Sequence, residues 1–278
     1  MLFMMKTIDR KDLHLAYEEK GNGPTLVLVH GTGFTSRSWF KVVEGLARQF
    51  RVITYDRRGY GESGGKEPGS KAYNQTQADD LLRFLEQLGL SDVILVGWSA
   101  GALYCYHALL KDASRVKALI CYEPPLHAAK NIDGHLFRHF MKMNLQKAFG
   151  NRKGAVHTFV RMVTRLQNGE SSLDRFRADY EKVLSPDYKL TLDEIAAGTG
   201  EELKPEMLKK IDIPVTFLSG DQSVGFFHKA TQRQLNIFNA HCHTLKGCGH
   251  FAHLENPGRF VEILTKVVTG KPVEIGEG

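Results

Sequence analysis

One stretch, Val93–Gly101, constrains the fold of this chain more than any other. Four β-prone residues run directly into Gly-Trp-Ser-Ala-Gly, and an apolar segment with helical spacing follows. A strand that turns sharply into a helix holds its serine in a strained conformation, so that the hydroxyl is exposed and the next amide can face a developing negative charge. Glycines two residues to either side are needed, because a Cβ there would clash with neighbouring backbone. The stretch therefore predicts a strand, a tight turn with Ser99 at its apex, and a helix.

Strand and helix patterns alternate on both sides of this turn. Leu13–Glu19 reads as a half-exposed strand, and buried strand patterns follow at Thr25–Val29, Arg51–Tyr55 and Val116–Tyr122, and later at Ile213–Leu218 and His241–Lys246. Helical spacing of apolar residues separates several of these strands. This alternation predicts an α/β fold with a mostly parallel, doubly wound sheet that helices cover on both faces.

The strand signals stop between Leu126 and Ile213, where three helical patterns follow one another. They contain Leu136 to Leu145, Val156 to Val163, and Leu173 to Leu184. So long a segment without strands is too long for a loop. The sequence therefore predicts a core of residues 1–126 and 211–270, a helical cap of residues 127–210 inserted after the sixth strand, and a flexible tail of residues 271–278.

Composition narrows the functional class. The 278 residues are 42% hydrophobic and 24% charged, and the net charge of +6 is too modest to indicate nucleic acid as a partner. The four cysteines lie mostly within predicted strands and helices, as free thiols of a reducing compartment would. No apolar run reaches the length of a signal-peptide core or of a membrane span. We therefore expect a cytoplasmic protein without a membrane partner.

Two local patterns could indicate a cofactor or a metal. Gly59, Gly61 and Gly64 match G-x-G-x-x-G, but a dinucleotide fingerprint needs these glycines directly between a strand and a helix, and here the loop continues to about Tyr73. The histidines and cysteines around the strand at 241–246 do not have the spacing of common zinc sites. The sequence therefore predicts neither a cofactor nor a metal.

Four polar residues at or near strand ends could carry chemistry together: Ser99, Glu123, Asp221 and His250. A serine hydroxyl is a poor nucleophile unless a histidine takes its proton, and a carboxylate must hold that histidine. In an open α/β sheet the reacting groups gather beyond the carboxyl ends of the strands. The chain order of serine, acid and histidine fits such a triad.

At this point the sequence resembles the α/β-hydrolase superfamily, in the branch with a helical cap. The pieces that match run in family order from about Leu13 to Val268: His30-Gly31-Thr32-Gly33, Asp56-Arg57-Arg58-Gly59-Tyr60-Gly61-Glu62-Ser63, Gly97 to Gly101, Gly220-Asp221, and Gly249-His250-Phe251 with Glu255-Asn256-Pro257. The resemblance implies that Ser99 is the nucleophile and His250 the general base. It also implies that the backbone amides of Thr32 and Ala100 form the oxyanion hole.

The acid of the triad stays open between two carboxylates. Asp221 stands at the usual place of the family after the seventh strand and is slightly favoured. Glu123 ends the sixth strand, 24 residues after Ser99, and resembles the acid of some relatives, including the fungal zearalenone lactonases. Because two prolines follow Glu123, we expect its backbone to be extended.

The resemblance implies a serine hydrolase without a cofactor that cleaves a small carboxylic ester or lactone through an acyl-enzyme. Carbon–carbon bond hydrolysis or perhydrolysis on the same triad remains an alternative, and so does a ligand-binding receptor on this scaffold. His30 is expected to stabilise a turn, and the protein to be a monomer or a homodimer. The expected substrate-binding residues are Gly31, Gly33, Trp98, Phe137, Phe140 and Met141.

Overall fold

An eight-stranded sheet organises the computed structural model, which describes residues 5–10, 12–65, 72–126, 134–198 and 203–270. The spatial order of the strands is β1-β2-β4-β3-β5-β6-β7-β8. The first two strands pair antiparallel, as do β2 and β4, and all other neighbours are parallel. The strands are β1 (Lys6–Arg10), β2 (Leu13–Lys20), β3 (Thr25–Val29), β4 (Arg51–Tyr55), β5 (Val93–Trp98), β6 (Val116–Tyr122), β7 (Val215–Gly220) and β8 (Cys242–Leu245).

Both faces of the sheet are buried, which confirms the predicted α/β fold. In β3, Leu26 and Leu28 belong to one apolar core, whereas Val27 and Val29 belong to the other. This is why the strand reads as a continuous apolar run rather than as an alternation. The helices that pack around the sheet are α1 (Val43–Leu46), α2 (Tyr73–Gln87), α3 (Ala100–Lys111), α10 (Gly225–Phe238), α11 (Ala252–Glu255) and α12 (Pro257–Thr269), with a 3₁₀ turn at Ser36–Trp39.

Between β6 and β7 the described residues form helices, as the sequence predicts. These are α4 (Gly134–Ala148), α5 (Arg152–Val163), α6 (Ser172–Arg175), α7 (Arg177–Val183), α8 (Tyr188–Gly198) and α9 (Pro205–Leu208). The pattern expected as one helix over 173–184 is two short helices, because the backbone leaves helical geometry at Phe176. Part of the predicted cap, and the predicted tail of residues 271–278, lie outside the described residues.

Two elements carry no clear signal in the sequence. Strand β1 is a mixed polar segment at the edge of the sheet, and its pairing with β2 defines it. Helix α8 has apolar residues at Tyr188, Leu192 and Ile195, a short pattern that is easily read as part of a loop. Among the described residues, no helix combines the length and apolarity needed to cross a membrane.

The register of the parallel strands places their carboxyl ends at one edge. Val29 is level with Gly97, Trp98 with Tyr122, and Gly220 with Leu245. The residues that follow these strands therefore meet at this edge of the sheet, where open α/β sheets bind their ligands.

Candidate active site

Ser99 occupies a strained turn between β5 and α3. Its φ of 54° and ψ of −126° lie in a region that residues with a side chain rarely adopt. A Cβ on Gly97 would lie 2.5 Å from Ala102 Cα, and one on Gly101 would lie 2.2 Å from the carbonyl oxygen of Val29. The tight turn predicted from the sequence is thus confirmed, and both glycines are required by close backbone contacts.

His250 lies in a buried pocket formed by aromatic rings and one carboxylate. Its Nδ1 is 2.7 Å from Oε2 of Glu123, and its ring stacks on Phe227 with centroids 3.7 Å apart and planes at 16°. The indole N–H of Trp98 donates to the carbonyl oxygen of His250 over 3.0 Å. Glu123 and Phe227 thus hold the imidazole itself, and Trp98 holds the backbone of His250.

Glu123 is fully buried and accepts hydrogen bonds at both carboxylate oxygens. Oε1 accepts from the Ser219 hydroxyl and from the Gly220 amide, each over 2.9 Å. Oε2 accepts from the Ser223 hydroxyl over 2.9 Å and is the oxygen that faces His250. Because a carboxylate can only accept, His250 carries its proton on Nδ1 and leaves Nε2 free to take one.

The structure places Glu123, and not the slightly favoured Asp221, at His250. Asp221 is half-buried, and its Oδ1 accepts from the amide of Gly247 over 2.7 Å rather than from a histidine. Glu123 also departs from the expected extended backbone, since its φ is 46°. Its side chain thereby reaches under the end of β7, where the donors that surround it lie.

Burial dominates the protonation behaviour of His250. Desolvation lowers the pKa of its imidazole below the ordinary value of 6.5, and the hydrogen bond and charge of Glu123 offset part of this effect. A neutral imidazole at neutral pH is the form that a general base needs.

A cavity of about 810 Å³, including its opening to solvent, lies next to Ser99. Ser99, Thr32 and Ala100 line it from the core, and Phe227 connects it to the His250 ring. The cap and its flanks add a mostly apolar wall: Pro125, Leu136, Phe140, Phe159, Met162, Val163, Glu194, Ile195 and Gly198.

Of the three residues of helix α4 that were predicted to bind substrate, the structure places Phe140 at the cavity but not Phe137 or Met141. Phe140 lines the cavity, together with Leu136 from the same helix α4. Phe137 and Met141 do not line it, since they are 56% and 55% exposed. The helical spacing identified an amphipathic helix, but it did not reveal which side faces the core.

The three core residues predicted to bind substrate lie behind the cavity wall rather than on it. Trp98 is buried under His250. A Cβ on Gly31 would lie 3.0 Å from the Cβ of Ser99, and one on Gly33 would lie 2.8 Å from Thr191 of the cap. Gly31 and Gly33 therefore permit close packing around the serine, and they do not line the cavity.

His30 stabilises the turn after β3, as expected. Its Nε2 accepts from the amide of Arg57 over 3.1 Å, so that Nδ1 is the donor to the carbonyl oxygen of Gly31 at 3.0 Å. Burial, followed by the charge of Arg57, lowers the pKa of His30 well below 6.5. His30 is thus a neutral structural residue.

The glycine-rich segment after β4 forms a turn around Asp56. Oδ1 of Asp56 accepts from the Ser36 amide over 2.7 Å, and Oδ2 accepts from the Glu62 amide over 2.9 Å. A Cβ on Gly61 would lie 2.0 Å from Oδ2, so only glycine fits there. Within the described residues, no group of three histidines, cysteines or carboxylates is arranged to hold a metal.

A buried ion pair lies beside the cavity, and neither of its residues was predicted from the sequence to belong to the site. Nη2 of Arg57 lies 2.8 Å from Oε1 of Glu194 on helix α8, and their side chains are 0% and 1% exposed. The hydroxyls of Tyr60 and Tyr104 donate to the same carboxylate. Burial and the charge of Glu194 raise the pKa of both tyrosines, which keeps them protonated. Helix α8 was not predicted, so no feature of the sequence indicated that Arg57 pairs with Glu194.

Comparison with known proteins agrees with this architecture. A family model described as "alpha/beta hydrolase fold" matches residues 24–257. A pimeloyl-[acyl-carrier protein] methyl ester esterase of Nitrosospira multiformis is 24% identical over 89% of this chain and 95% of its own length. A probable 1-acylglycerol-3-phosphate O-acyltransferase of Oryza sativa subsp. japonica is 25% identical over 88% of this chain and 67% of its own. The crystal structure of a bromoperoxidase from Bacillus anthracis has a TM-score of 0.76 and 25% identity, and covers 96% of this chain and 100% of its own.

Proposed function

The chain belongs to the α/β-hydrolase family, and on this basis we propose that it is a serine hydrolase that cleaves a carboxylic ester or lactone through an acyl-enzyme. The observation that carries the proposal is the buried hydrogen bond between His250 and Glu123. It occurs in a chain whose Ser99 is held in a strained turn on the wall of a cavity that Phe227, the ring stacked on His250, also lines. Geometry of this kind serves nucleophilic catalysis.

In the proposed reaction, Nε2 of His250 takes the proton of Ser99 as its hydroxyl oxygen attacks the substrate carbonyl. Glu123 stabilises the imidazolium that forms and holds the ring in the required tautomer. The backbone amides of Thr32 and Ala100 would donate to the oxyanion, each contributing about 3 kcal/mol to transition-state stabilisation. His250 then protonates the leaving alcohol and activates the water that releases the acid.

The cavity favours a substrate with an apolar part of moderate size. Its wall from the cap consists mainly of aliphatic and aromatic side chains, and the charge of Glu194 is compensated by Arg57. The similar esterase of Nitrosospira multiformis acts on a methyl ester by its name, which supports an ester as the substrate class.

A second candidate differs in the acyl acceptor. The likeness to a bromoperoxidase favours perhydrolysis, in which hydrogen peroxide replaces water in the second step and yields a peracid. Parallel assays with and without peroxide distinguish the two activities, because a peracid oxidises bromide much faster than hydrogen peroxide does, and an enzyme-free control gives the rate with peroxide alone.

Replacing the serine tests the nucleophile. We expect Ser99→Ala to lower the kcat for p-nitrophenyl butyrate by about 10⁴-fold or more. The melting temperature should not fall, because alanine preserves the backbone contacts of the turn. A fluorophosphonate should label the natural protein once, at Ser99, and should leave the variant unlabelled.

The outcome that rules out the proposal is undiminished turnover or labelling of the Ser99→Ala variant. Absence of turnover by the natural protein across short and long acyl esters and lactones, combined with saturable ligand binding, would instead support a receptor on this scaffold.

A further inference from the structure

We propose that Arg57 is a positioning residue for the oxyanion hole and that Glu194 of the cap holds Arg57 in place. The proposal rests on the function proposed above and adds a link between the cap and the catalytic geometry. Arg57 lies in the turn after β4, and it bridges the loop after β3 and helix α8.

The guanidinium of Arg57 binds two consecutive carbonyls of the loop after β3. Nε donates to the carbonyl oxygen of His30 over 3.2 Å, and Nη2 donates to that of Gly31 over 3.1 Å. Nδ1 of His30 provides a second donor to the Gly31 oxygen, at 3.0 Å. The peptide plane between Gly31 and Thr32 is thus held by two donors on its carbonyl side.

The orientation of this plane determines where the Thr32 amide points. In a trans peptide the N–H and the C=O of one plane point in opposite directions, and no cis peptide occurs in the described residues. With the Gly31 oxygen directed at Arg57, the N–H of Thr32 is directed away from Arg57. Thr32 lines the cavity next to Ser99, and its N–H has no acceptor among the described residues. The amide is therefore available to an oxyanion.

Arginine suits this position because of its charge and its planar fork of donors. A fully buried guanidinium is costly unless a counter-charge and hydrogen bonds satisfy it. Burial alone would lower the pKa of Arg57, but Glu194 raises it well above its ordinary value. The rings of Tyr60 and Tyr104 lie 4.8 Å and 4.6 Å from the guanidinium carbon. The cation thus contacts its counter-charge, two backbone carbonyls and two aromatic rings, although its Nη1 is buried without a hydrogen-bond partner.

The cap also holds the far end of the same loop. The amide of Ser185 donates to the carbonyl oxygen of Gly33 over 2.9 Å, and the amide of Thr35 donates to that of Val183 over 3.1 Å. The loop that carries Thr32 is therefore fixed between Arg57 and a cap segment, so that docking of the cap and orientation of the amide are coupled.

The chain contains a matched control in the next residue. Arg58 is 5% exposed and forms a bidentate pair with Asp80, with nitrogen–oxygen distances of 2.6 Å and 2.7 Å. Its Nη1 donates to the carbonyl oxygen of Asp12 over 2.8 Å. Arg57→Lys and Arg58→Lys thus impair similar buried pairs, but only the former removes donors from the loop after β3.

The experiment compares kcat and KM for p-nitrophenyl butyrate with the affinity for an alkylboronic acid. The tetrahedral adduct of the boronic acid with Ser99 places an oxygen in the oxyanion hole, whereas the substrate before attack does not. We expect Arg57→Lys to lower kcat and boronate affinity together, each by about 10- to 100-fold, with KM changed by no more than about twofold. Arg58→Lys should leave all three values within about twofold.

A double variant distinguishes loss of amide positioning from misfolding. Arg57→Met/Glu194→Met removes both charges at once and leaves neither ion buried without a partner, a change that is often tolerated in protein interiors. It should fold, with unchanged far-UV circular dichroism, and should show the same joint loss of kcat and boronate affinity.

Unchanged boronate affinity in Arg57→Lys or in a folded double variant would overturn the proposal, and so would losses equal to those of Arg58→Lys. Either result would leave the proposed function intact if Ser99→Ala is still inactive. Full activity of Ser99→Ala would remove the proposed function itself.

Discussion

Replacing Glu123 with glutamine should disable the base without disturbing its position. The amide of Gly220 can only donate, so the oxygen of the new side chain must take the place of Oε1. The NH₂ group then lies at the former Oε2, opposite Nδ1 of His250 and the hydroxyl of Ser223. The hydroxyl can rotate to accept, but Nδ1 can accept only if His250 moves its proton to Nε2. In that tautomer Nε2 cannot take the proton of Ser99.

The size of the effect follows from this tautomer. The same carboxylate-to-amide change in the triad of serine proteases lowers kcat by about 10⁴-fold, which corresponds to about 5 kcal/mol of activation free energy. The free energy of unfolding should change by only about 1 kcal/mol, because the remaining hydrogen bonds can be kept. Steady-state kinetics with p-nitrophenyl butyrate and urea unfolding measure the two quantities separately.

Asp221→Asn is the matched control, because it makes the same chemical change at the neighbouring strand end. The new side chain retains an oxygen to accept from Gly247, so kcat should stay within about twofold. A loss in Asp221→Asn as large as that in Glu123→Gln would refute this reasoning. Full activity of Glu123→Gln would also refute it.

Three further outcomes follow from burial. The acid limb of the pH profile of kcat/KM should have its midpoint below 6.5, because burial lowers the pKa of His250, and a midpoint above about 7 would contradict this cause. The free energy of unfolding, measured with urea, should fall as the pH drops below about 6.5. Burial holds the pKa values of His30 and His253 well below the value of a histidine in the unfolded chain. As the pH falls, the unfolded chain therefore takes up protons first, and each of these groups lowers the free energy of unfolding by up to about 1.4 kcal/mol per pH unit. Finally, Phe140→Ala should raise the KM for long-chain esters by about five- to tenfold, whereas the exposed Phe137→Ala should change it by less than twofold; equal effects of the two would place the substrate elsewhere.

The strands at the centre of the sheet could be predicted because their signals are local. Thr25–Val29, Arg51–Tyr55 and Val116–Tyr122 have the predicted bounds, since apolar β-branched runs between turn residues leave few alternatives. Strand β1 and helix α8 could not be predicted, because neighbours elsewhere in the chain stabilise them more than their own residues do. The same cause hid Glu194, a charged residue on an unpredicted helix.

The two carboxylates show why local signals were not enough. Glu123 and Asp221 follow adjacent strands β6 and β7, so both reach the same edge of the sheet and either could have faced a histidine. The backbone of Glu123 at φ 46° and the donors at the end of β7 bring only its carboxylate to His250. Such choices depend on side-chain direction and on contacts between distant segments.

By itself the sequence determined the α/β architecture and the position of Ser99 at the apex of a tight turn, because a strand, two glycines and the start of a helix specify that turn. The tertiary structure alone decided three matters: that Glu123 contacts His250, that Phe140 rather than Phe137 faces the cavity, and that Arg57 pairs with Glu194. Each joins residues far apart in the chain. Their contacts exist only once strand register and helix packing have fixed the direction of every side chain.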